Sequence, residues 1–370
     1  MGFLSTKRCG LEYWNICGSG TVVVPRSRKR LTEPVGKRNR SRLRIDCCRP
    51  YALAMLVVPN LQTIRAAHER IRPFVHRTPV MTCGTIDALS GATIFFKCEN
   101  LQKVGAFKYR GATNAVQSLS DADAARGVVT HSSGNHAAAL ALAAKVRGIA
   151  AHIVMPTTTP QIKQDAVAGY GGQITLCQPT LAARETTAAA IQQRTGATMI
   201  HPFDNDAVIA GQGTAAVELL EDVPELDAIL APVGGGGLLS GTGIAAKALR
   251  SNIKVIGCEP ALADDAAESL RTGKLVLARP PKSVGDGLLT NLSERTFGHI
   301  RMHVDQIALA TDEEMLAAMR LVLERMKILI EPSAAVALAV LLNGATNLRG
   351  KRVGVIISGG NVELARLAPS

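Results

Sequence analysis

Residues 230–249 read "LAPVGGGGLLSGTGIAAKAL": a short apolar run, four consecutive glycines at Gly234, Gly235, Gly236 and Gly237, then a pattern of small apolar residues. Glycine loses more conformational freedom on folding than any other residue, so four in a row are costly unless something must approach the backbone closely. A strand, a glycine loop and a helix in that order expose N–H groups at a helix N-terminus, which is a site for an anion. A dinucleotide fold would place G-x-G-x-x-G early in the chain with an acid about 20 residues later, and a P-loop would need Gly-Lys-Ser/Thr. This loop has neither pattern, so a monophosphate is the better expectation.

The surrounding chain has the same strand-then-helix character. Candidate strands are "TIFFKC" (93–98), "GVVTHS" (127–132), "AHIVMP" (151–156), "QITLC" (173–177), "TMIHP" (198–202), "AILAPV" (228–233), "KVIGCEP" (254–260) and "RVGVIIS" (352–358). Their near-continuous apolar character fits strands buried on both faces of parallel sheets. Ala-rich helical stretches such as "HAAALALAAKVRG" and "PSAAVALAVLLNG" lie between them. The expected fold class is therefore α/β, with two open α/β domains and ligands at the carboxyl ends of the strands.

The formal charge of the 370 residues is +12, but it is unevenly placed. Residues 1–54 hold twelve Lys or Arg against three acids, a net +9, which leaves +3 for the other 316. The body of the protein is not basic, so neither nucleic-acid binding nor a membrane surface is expected of it. No stretch approaches the ~18 apolar residues of a membrane span. The first 54 residues lack apolar periodicity and read as a disordered extension ahead of Met55. An organelle transit peptide is the second reading, because the segment is Arg-rich and acid-poor. A cytoplasmic location is expected, with organelle targeting as the alternative. "MGFLST" also matches the short myristoylation pattern at Gly2 and Thr6. The eight cysteines show no paired C-x-x-C spacing, so they point to neither zinc nor a disulfide framework.

Two further strand ends carry polar chemistry. "THSSGNHAAAL" places Ser132, Ser133, Asn135 and His136 at a helix start, an arrangement that would suit a carboxylate or phosphate as well as ordinary N-capping. "IISGGNVEL" presents Ser358 at the end of the last strand. In "KVGAFKYRGATNAV", Lys108 lies between Phe107 and Tyr109. A lysine against apolar rings loses hydration, which lowers its pKa and makes it nucleophilic. A phosphate cradle, a carboxylate loop and a lysine together are what pyridoxal phosphate chemistry on an amino acid requires.

The motifs "FKYRGATNAV", "SSGNH", "VIAGQGT", "PVGGGG", "CEP…ADD" and "ISGGNV" occur in the order and spacing of the fold-type II pyridoxal-phosphate enzymes of the serine/threonine dehydratase family. The pattern covers about residues 60–365. It resembles the serine racemase branch most. The resemblance implies a large cofactor-binding domain from residues 55–120 and 205–370, with a smaller inserted domain at 121–204. Lys108 would bond covalently to the cofactor and then act as base on the substrate's α-proton. Phe107 would pack on the cofactor ring and Asn135 would bond the ring hydroxyl. Gly234, Gly235, Gly236, Gly237 and Leu238 would donate N–H groups to the phosphate, and Ser358 would meet the pyridine nitrogen. Ser132, Ser133, Asn135 and His136 would hold the substrate carboxylate, with Arg184 and Thr290 on the substrate side.

Ser133 carries the most information about the reaction. Racemisation needs an acid/base group on each face of the planar carbanion, and Lys108 occupies one face only. In the racemase branch the second serine of the motif supplies the other face. The resemblance also implies a structural divalent cation on Glu259, the carbonyl of Ala263 and Asp265, an all-oxygen set suited to Mg²⁺, Ca²⁺ or Mn²⁺. Ala138 stands where animal serine racemases carry a glutamine that helps to bind ATP, which counts against nucleotide activation. A homodimer is implied by the resemblance alone. The expected activity is racemisation of serine, or elimination of water from a small β-hydroxy amino acid to give a keto acid and ammonia. The alternatives are an L-threonine/L-serine ammonia-lyase without racemase activity and a 3-hydroxyaspartate dehydratase. A nucleotide-dependent oxidoreductase lacks its ribose-binding fingerprint here, and a non-enzymatic basic binding protein would rest wholly on residues 1–54.

Overall fold

A computed structural model describes residues 58–277 and 282–363 of the chain. The expectations for residues 1–54, including the targeting and myristoylation readings, lie outside the described residues. The strands in chain order are β1 (Val80–Met81), β2 (Thr93–Cys98), β3 (Val128–His131), β4 (Ala151–Pro156), β5 (Gln173–Cys177), β6 (Thr198–Met199), β7 (Ala228–Pro232), β8 (Lys254–Pro260), β9 (Gln306–Ala310) and β10 (Arg352–Ile357). They form a six-stranded sheet in the order β1-β2-β10-β7-β8-β9 and a four-stranded sheet in the order β5-β4-β3-β6. Every pairing is parallel except β1 with β2. No helix among the described residues is long and apolar enough to cross a membrane.

The central strands of the larger sheet are largely apolar because both faces are covered, although Lys97 in β2 and Glu259 in β8 are buried charged residues. Ala228, Leu230, Cys258, Val353, Val355 and Ile357 face one core, which contains residues of the helices Asp312–Met326 and Pro332–Leu342. Ile229, Ala231, Val255 and Ile356 face a second, with Leu238, Leu239 and Ala246 of the helix Gly237–Leu249. This is the period-2 alternation of a strand with an apolar partner on each side.

Topology explains where a site can form. In the larger sheet the chain runs β7, β8, β9 outward in one direction and then returns to place β10 on the other side of β7. In the smaller sheet it runs β3, β4, β5 and then places β6 on the other side of β3. Each reversal leaves a crevice at the carboxyl ends of the two central strands, the usual position of a ligand in open α/β sheets. The loops at these crevices are the glycine loop after β7, the Ser358 loop after β10, the Ser132–His136 segment after β3 and the His201–Asp204 segment after β6. The loop after β2, next to β10, leads to Lys108.

The helix that begins with Lys108 (Lys108–Gln117) is locked by a close approach. A Cβ on Gly211, in the helix Asp206–Asp222, would stand 2.7 Å from the Cα of Gly111. Gly111 N also donates to Gln212 Oε1 at 3.1 Å. The "GQG" of the "VIAGQGT" motif is therefore structural: small residues and one amide hold the lysine-bearing helix against its neighbour.

Candidate active site

The glycine loop turns sharply into its helix. Gly236 is the N-cap of Gly237–Leu249 and has a left-handed backbone, φ +83°. A Cβ on Gly235 would overlap the ring of Phe203, and one on Gly234 would stand 2.9 Å from the Cα of Leu288. The side-chain space of the loop is already filled by protein, so its glycines are fixed by packing as well as by any ligand. The first N–H groups of a helix have no intrahelical acceptor, and here they face the carboxyl edge of the sheet. Gly235→Ala is expected to destabilise the fold by about 1–3 kcal/mol through overpacking and to weaken pyridoxal phosphate binding. Urea unfolding and cofactor titration would check both; unchanged values would mean that Phe203 yields freely.

The other loops meet around Lys108. Lys108 is part-buried, and its Nζ donates to the carbonyl of Pro202 at 3.0 Å and lies 5.2 Å from the Phe107 ring centroid. Burial pushes the amine down to about 8, partly offset by the negative charge of Glu331. Phe107 N donates to the carbonyl of Ser358 at 2.9 Å, and Gly360 N donates to Gly105 O at 2.9 Å. The loop after β10 is thus stitched backbone to backbone onto the loop that carries the lysine. Ser358 itself is buried.

Asn135 joins the smaller sheet to this arrangement. Its Nδ2 donates to both carboxylate oxygens of Glu331 at 3.1 Å, and its Oδ1 accepts from Asn361 Nδ2 at 2.9 Å. The same Asn361 amide donates to Val104 O at 2.7 Å. Burial pushes the Glu331 carboxyl up to about 7, with the Asn135 hydrogen bond opposing. Ser132 and Ser133 are part-buried in the same segment, and Ser132 Oγ accepts from Gly134 N at 3.4 Å.

His136 is buried and its Nε2 lies 3.1 Å from the carbonyl of Ile200. A carbonyl only accepts, so Nε2 carries the proton; burial and the charge of Lys108 drive the ring pKa down to about 3, so the ring is neutral. Nδ1 is then a bare acceptor and cannot hold a carboxylate. The expectation for His136 is accordingly narrowed to its backbone N–H, in the first turn of the helix Asn135–Arg147.

Glu331, His201 and His131, which the sequence does not single out, belong to this site. Glu331 precedes Pro332 at the start of a helix and reads in sequence as an ordinary helix start. His201 lies in the segment after β6; its Nδ1 accepts the N–H of Asp204 at 3.0 Å, and its ring makes edge contacts with His131 and Phe203. Burial first, then His131, lowers His201 to about 4. His131 ends β3, and its pKa is lowered by burial and by the charge of Arg184. Arg184 stands in the helix Leu181–Thr195, part-buried. Thr290 is exposed, two residues beyond the Leu288 that packs on Gly234.

The three residues expected to hold a cation lie at the end of β8. Glu259 is buried, and its carboxylate accepts from Ala266 N at 3.0 Å and Ala267 N at 2.8 Å, at the start of the helix Asp265–Thr272. Burial raises the Glu259 carboxyl to about 8, and Asp265 and Asp264 add to the rise. Ala263 and Asp265 are also buried. Among the described residues no group of three or more His, Cys, Asp or Glu side chains is placed to hold a metal by itself.

These groups fit pyridoxal phosphate: a partly desolvated amine for its aldehyde, a helix N-terminus for its phosphate, a flanking aromatic ring and a buried hydroxyl at the far strand end. Residues 71–359 match the family model described as pyridoxal-phosphate dependent enzyme. The chain is 49% identical over 312 residues to a beta-hydroxyaspartate dehydratase of Paracoccus denitrificans, covering 84% of this chain and 99% of that protein. It is 50% identical over 313 residues to a serine racemase of Dictyostelium discoideum, covering 84% and 97%. The crystal structure of the Dictyostelium serine racemase superposes with a TM-score of 0.80 over 82% of this chain and 99% of that one. The chain belongs to the pyridoxal-phosphate-dependent enzymes, in their fold-type II racemase and ammonia-lyase group.

Proposed function

We propose that this enzyme removes the α-proton of L-serine and either returns a proton to the opposite face, giving D-serine, or expels the β-hydroxyl, giving pyruvate and ammonia. The observation that carries the reading is the Lys108 amine, lowered to about 8 at the meeting point of four strand-end loops. At that value about a tenth of the amine is unprotonated at pH 7, against about one part in three thousand for an ordinary lysine. The bound cofactor supplies the electron sink for the pair left when the α-proton departs. Lys108 takes the proton. The segment 132–136 orients the carboxylate through hydroxyls and helix-start N–H groups, and Ser133 is the candidate proton carrier on the far face. A time course with L-serine, following keto acid and D-serine by chiral chromatography, tests the proposal; absence of both products would overturn it.

A second reading is elimination from 3-hydroxyaspartate. It is favoured by the electrostatic contact of Arg184 with His131 beside Ser132, which offers positive charge to a second carboxylate. The Paracoccus relative bears that substrate in its name. Comparing kcat/KM for L-serine, L-threonine and L-threo-3-hydroxyaspartate separates these readings from a threonine/serine ammonia-lyase.

A cytoplasmic location is proposed from composition; the inserted small domain and homodimerisation belong to the same proposal on the strength of the resemblance, and light scattering checks the dimer. So does a divalent cation on Glu259, Ala263 O and Asp265. Their buried oxygens and the mutual repulsion of their carboxylates are what a hard cation offsets. Chelation is expected to lower the melting temperature by about 3 °C or more, recovered by Mg²⁺ or Mn²⁺. An unchanged melting curve would leave Glu259 as a helix cap only.

A further inference from the structure

A second cluster of charges lies behind the lysine, where no substrate reaches. Arg110 is fully buried, and its guanidinium is gripped on two sides. Nε and Nη2 donate to Glu99 Oε2 and Oε1 at 2.7 and 2.8 Å, while Nη1 and Nη2 donate to Glu218 Oε1 and Oε2 at 2.7 Å each. Lys97, also fully buried, donates to Glu218 Oε2 and to Thr78 O, both at 2.7 Å. Thr78 Oγ1 completes Glu99 with a bond of 2.6 Å to Oε1. Two cations and two anions therefore cancel in a space closed to water. The cluster's titratable neighbours include His68, whose Nδ1 is 4.0 Å from Glu218 Oε1, Cys98 between Lys97 and Glu99, and Arg77, which interacts electrostatically with Glu218.

The members come from β2, the turn after it, the helix Lys108–Gln117 and the helix Asp206–Asp222. Arg110 follows Lys108 by two residues. At 100° per residue their side chains leave the helix about 200° apart. The lysine points to the site and the arginine to the cluster, from the same helical turn. A bidentate fork has one favourable orientation for each carboxylate, so gripping Arg110 from both sides fixes that turn in rotation and translation.

We propose that Lys97, Glu99, Arg110 and Glu218 form a charge-neutral clamp that positions Lys108 from behind while adding no net charge to its surroundings. Arg110 is thus a positioning residue, acting through Lys108. The charged and titratable groups that face the lysine are Glu331, His136 and His201, on other elements. Glu218 stays ionised despite its burial because Arg110 and Lys97 outweigh desolvation. Neutrality is needed because a single uncompensated charge in this interior would retune the amine.

The inference rests on Lys108 being the lysine that bonds the cofactor, not on the identity of the substrate. The test uses full-length protein stripped of cofactor. Its readout is the rate of pyridoxal phosphate uptake, in which the amine adds to the aldehyde and water leaves, followed by visible absorbance against pH. Lys108→Ala, with no uptake of this kind, is the control that reports on the underlying assignment. The wild-type rate is expected to rise through a midpoint of about 8. Arg110→Lys keeps the charge but not the two-sided fork, so the midpoint holds while the plateau rate falls about tenfold. Glu218→Gln leaves one unbalanced positive charge and lowers the midpoint by roughly one pH unit. Lys97→Met/Glu218→Gln restores neutrality and returns the midpoint to the wild-type value. A plateau within twofold of wild type in Arg110→Lys overturns the positioning role. A double variant shifted as far as Glu218→Gln, or no shift in either, overturns the charge balance. If Glu218→Gln does not fold, Arg110→Lys decides the positioning role and Lys97→Met, which leaves one unbalanced negative charge, decides the charge balance: a midpoint raised by roughly one pH unit supports it and an unmoved midpoint overturns it.

Discussion

Lys108→Ala is expected to reduce turnover of every substrate by at least about 10³-fold and to remove the visible absorption of the covalently held cofactor. In the proposed mechanism the loss is this large because one amine has two tasks, bonding the cofactor's aldehyde and then moving the α-proton. Its position fits both. The carbonyl of Pro202 holds Nζ at 3.0 Å, Phe107 flanks it, and burial keeps a useful fraction unprotonated near neutral pH. The fold should survive, since the residues that anchor the lysine-bearing helix are Arg110, Gly111 and Asn114, through bonds to Glu99, Glu218, Gln212 and Ala207. A small external amine such as methylamine should restore part of the proton transfer in the alanine variant, because the cavity left behind adjoins the site. Turnover within tenfold of wild type without added amine would remove Lys108 from the reaction.

The parts of this site that were legible in sequence are those written locally. All eight candidate strands are present, though the one expected at 198–202 is only Thr198–Met199; most leave continuous apolar runs because both faces are covered, whereas β5 is half-exposed, contrary to expectation. The glycine loop, the Ser-Ser-Gly-Asn-His segment and the lysine motif could be read because each is a contiguous pattern at a strand end. The strands that escaped notice are β1, only two residues long, and β9, an outer strand whose exposure alternates. What sequence could not supply is the meeting of distant segments. Glu331 and Asn135 are 196 positions apart, and Asn361 joins Asn135 across 226. Lys97 and Glu99 sit in "FFKCEN", at the end of a candidate strand; their burial becomes sensible only once Arg110 and Glu218 are beside them. The narrowing of His136 to a backbone donor likewise depends on the carbonyl of Ile200, 64 residues away.

Ser133→Ala is expected to lower D-serine formation by about 10²-fold or more while leaving elimination from L-serine within a few-fold of wild type. The asymmetry follows from what each outcome needs on the far face of the carbanion. Racemisation must deliver a proton there, and an alanine methyl has none to give. Elimination needs the β-hydroxyl to depart, which Lys108 can assist from its own side. Orientation of the substrate should persist, because the helix-start N–H groups of the segment are backbone and Asn135 is held independently by Glu331 and Asn361. The neutral His136 ring, its Nε2 proton bonded to Ile200, is a poor substitute donor. Solvent exchange gives the sharper reading. In D₂O the variant should return L-serine labelled at the α-carbon, since Lys108 still removes and replaces the proton on its own face, with little labelled D-serine. Equal loss of both products, with no label in recovered L-serine, would make Ser133 a carboxylate ligand and assign the far-face proton to another donor.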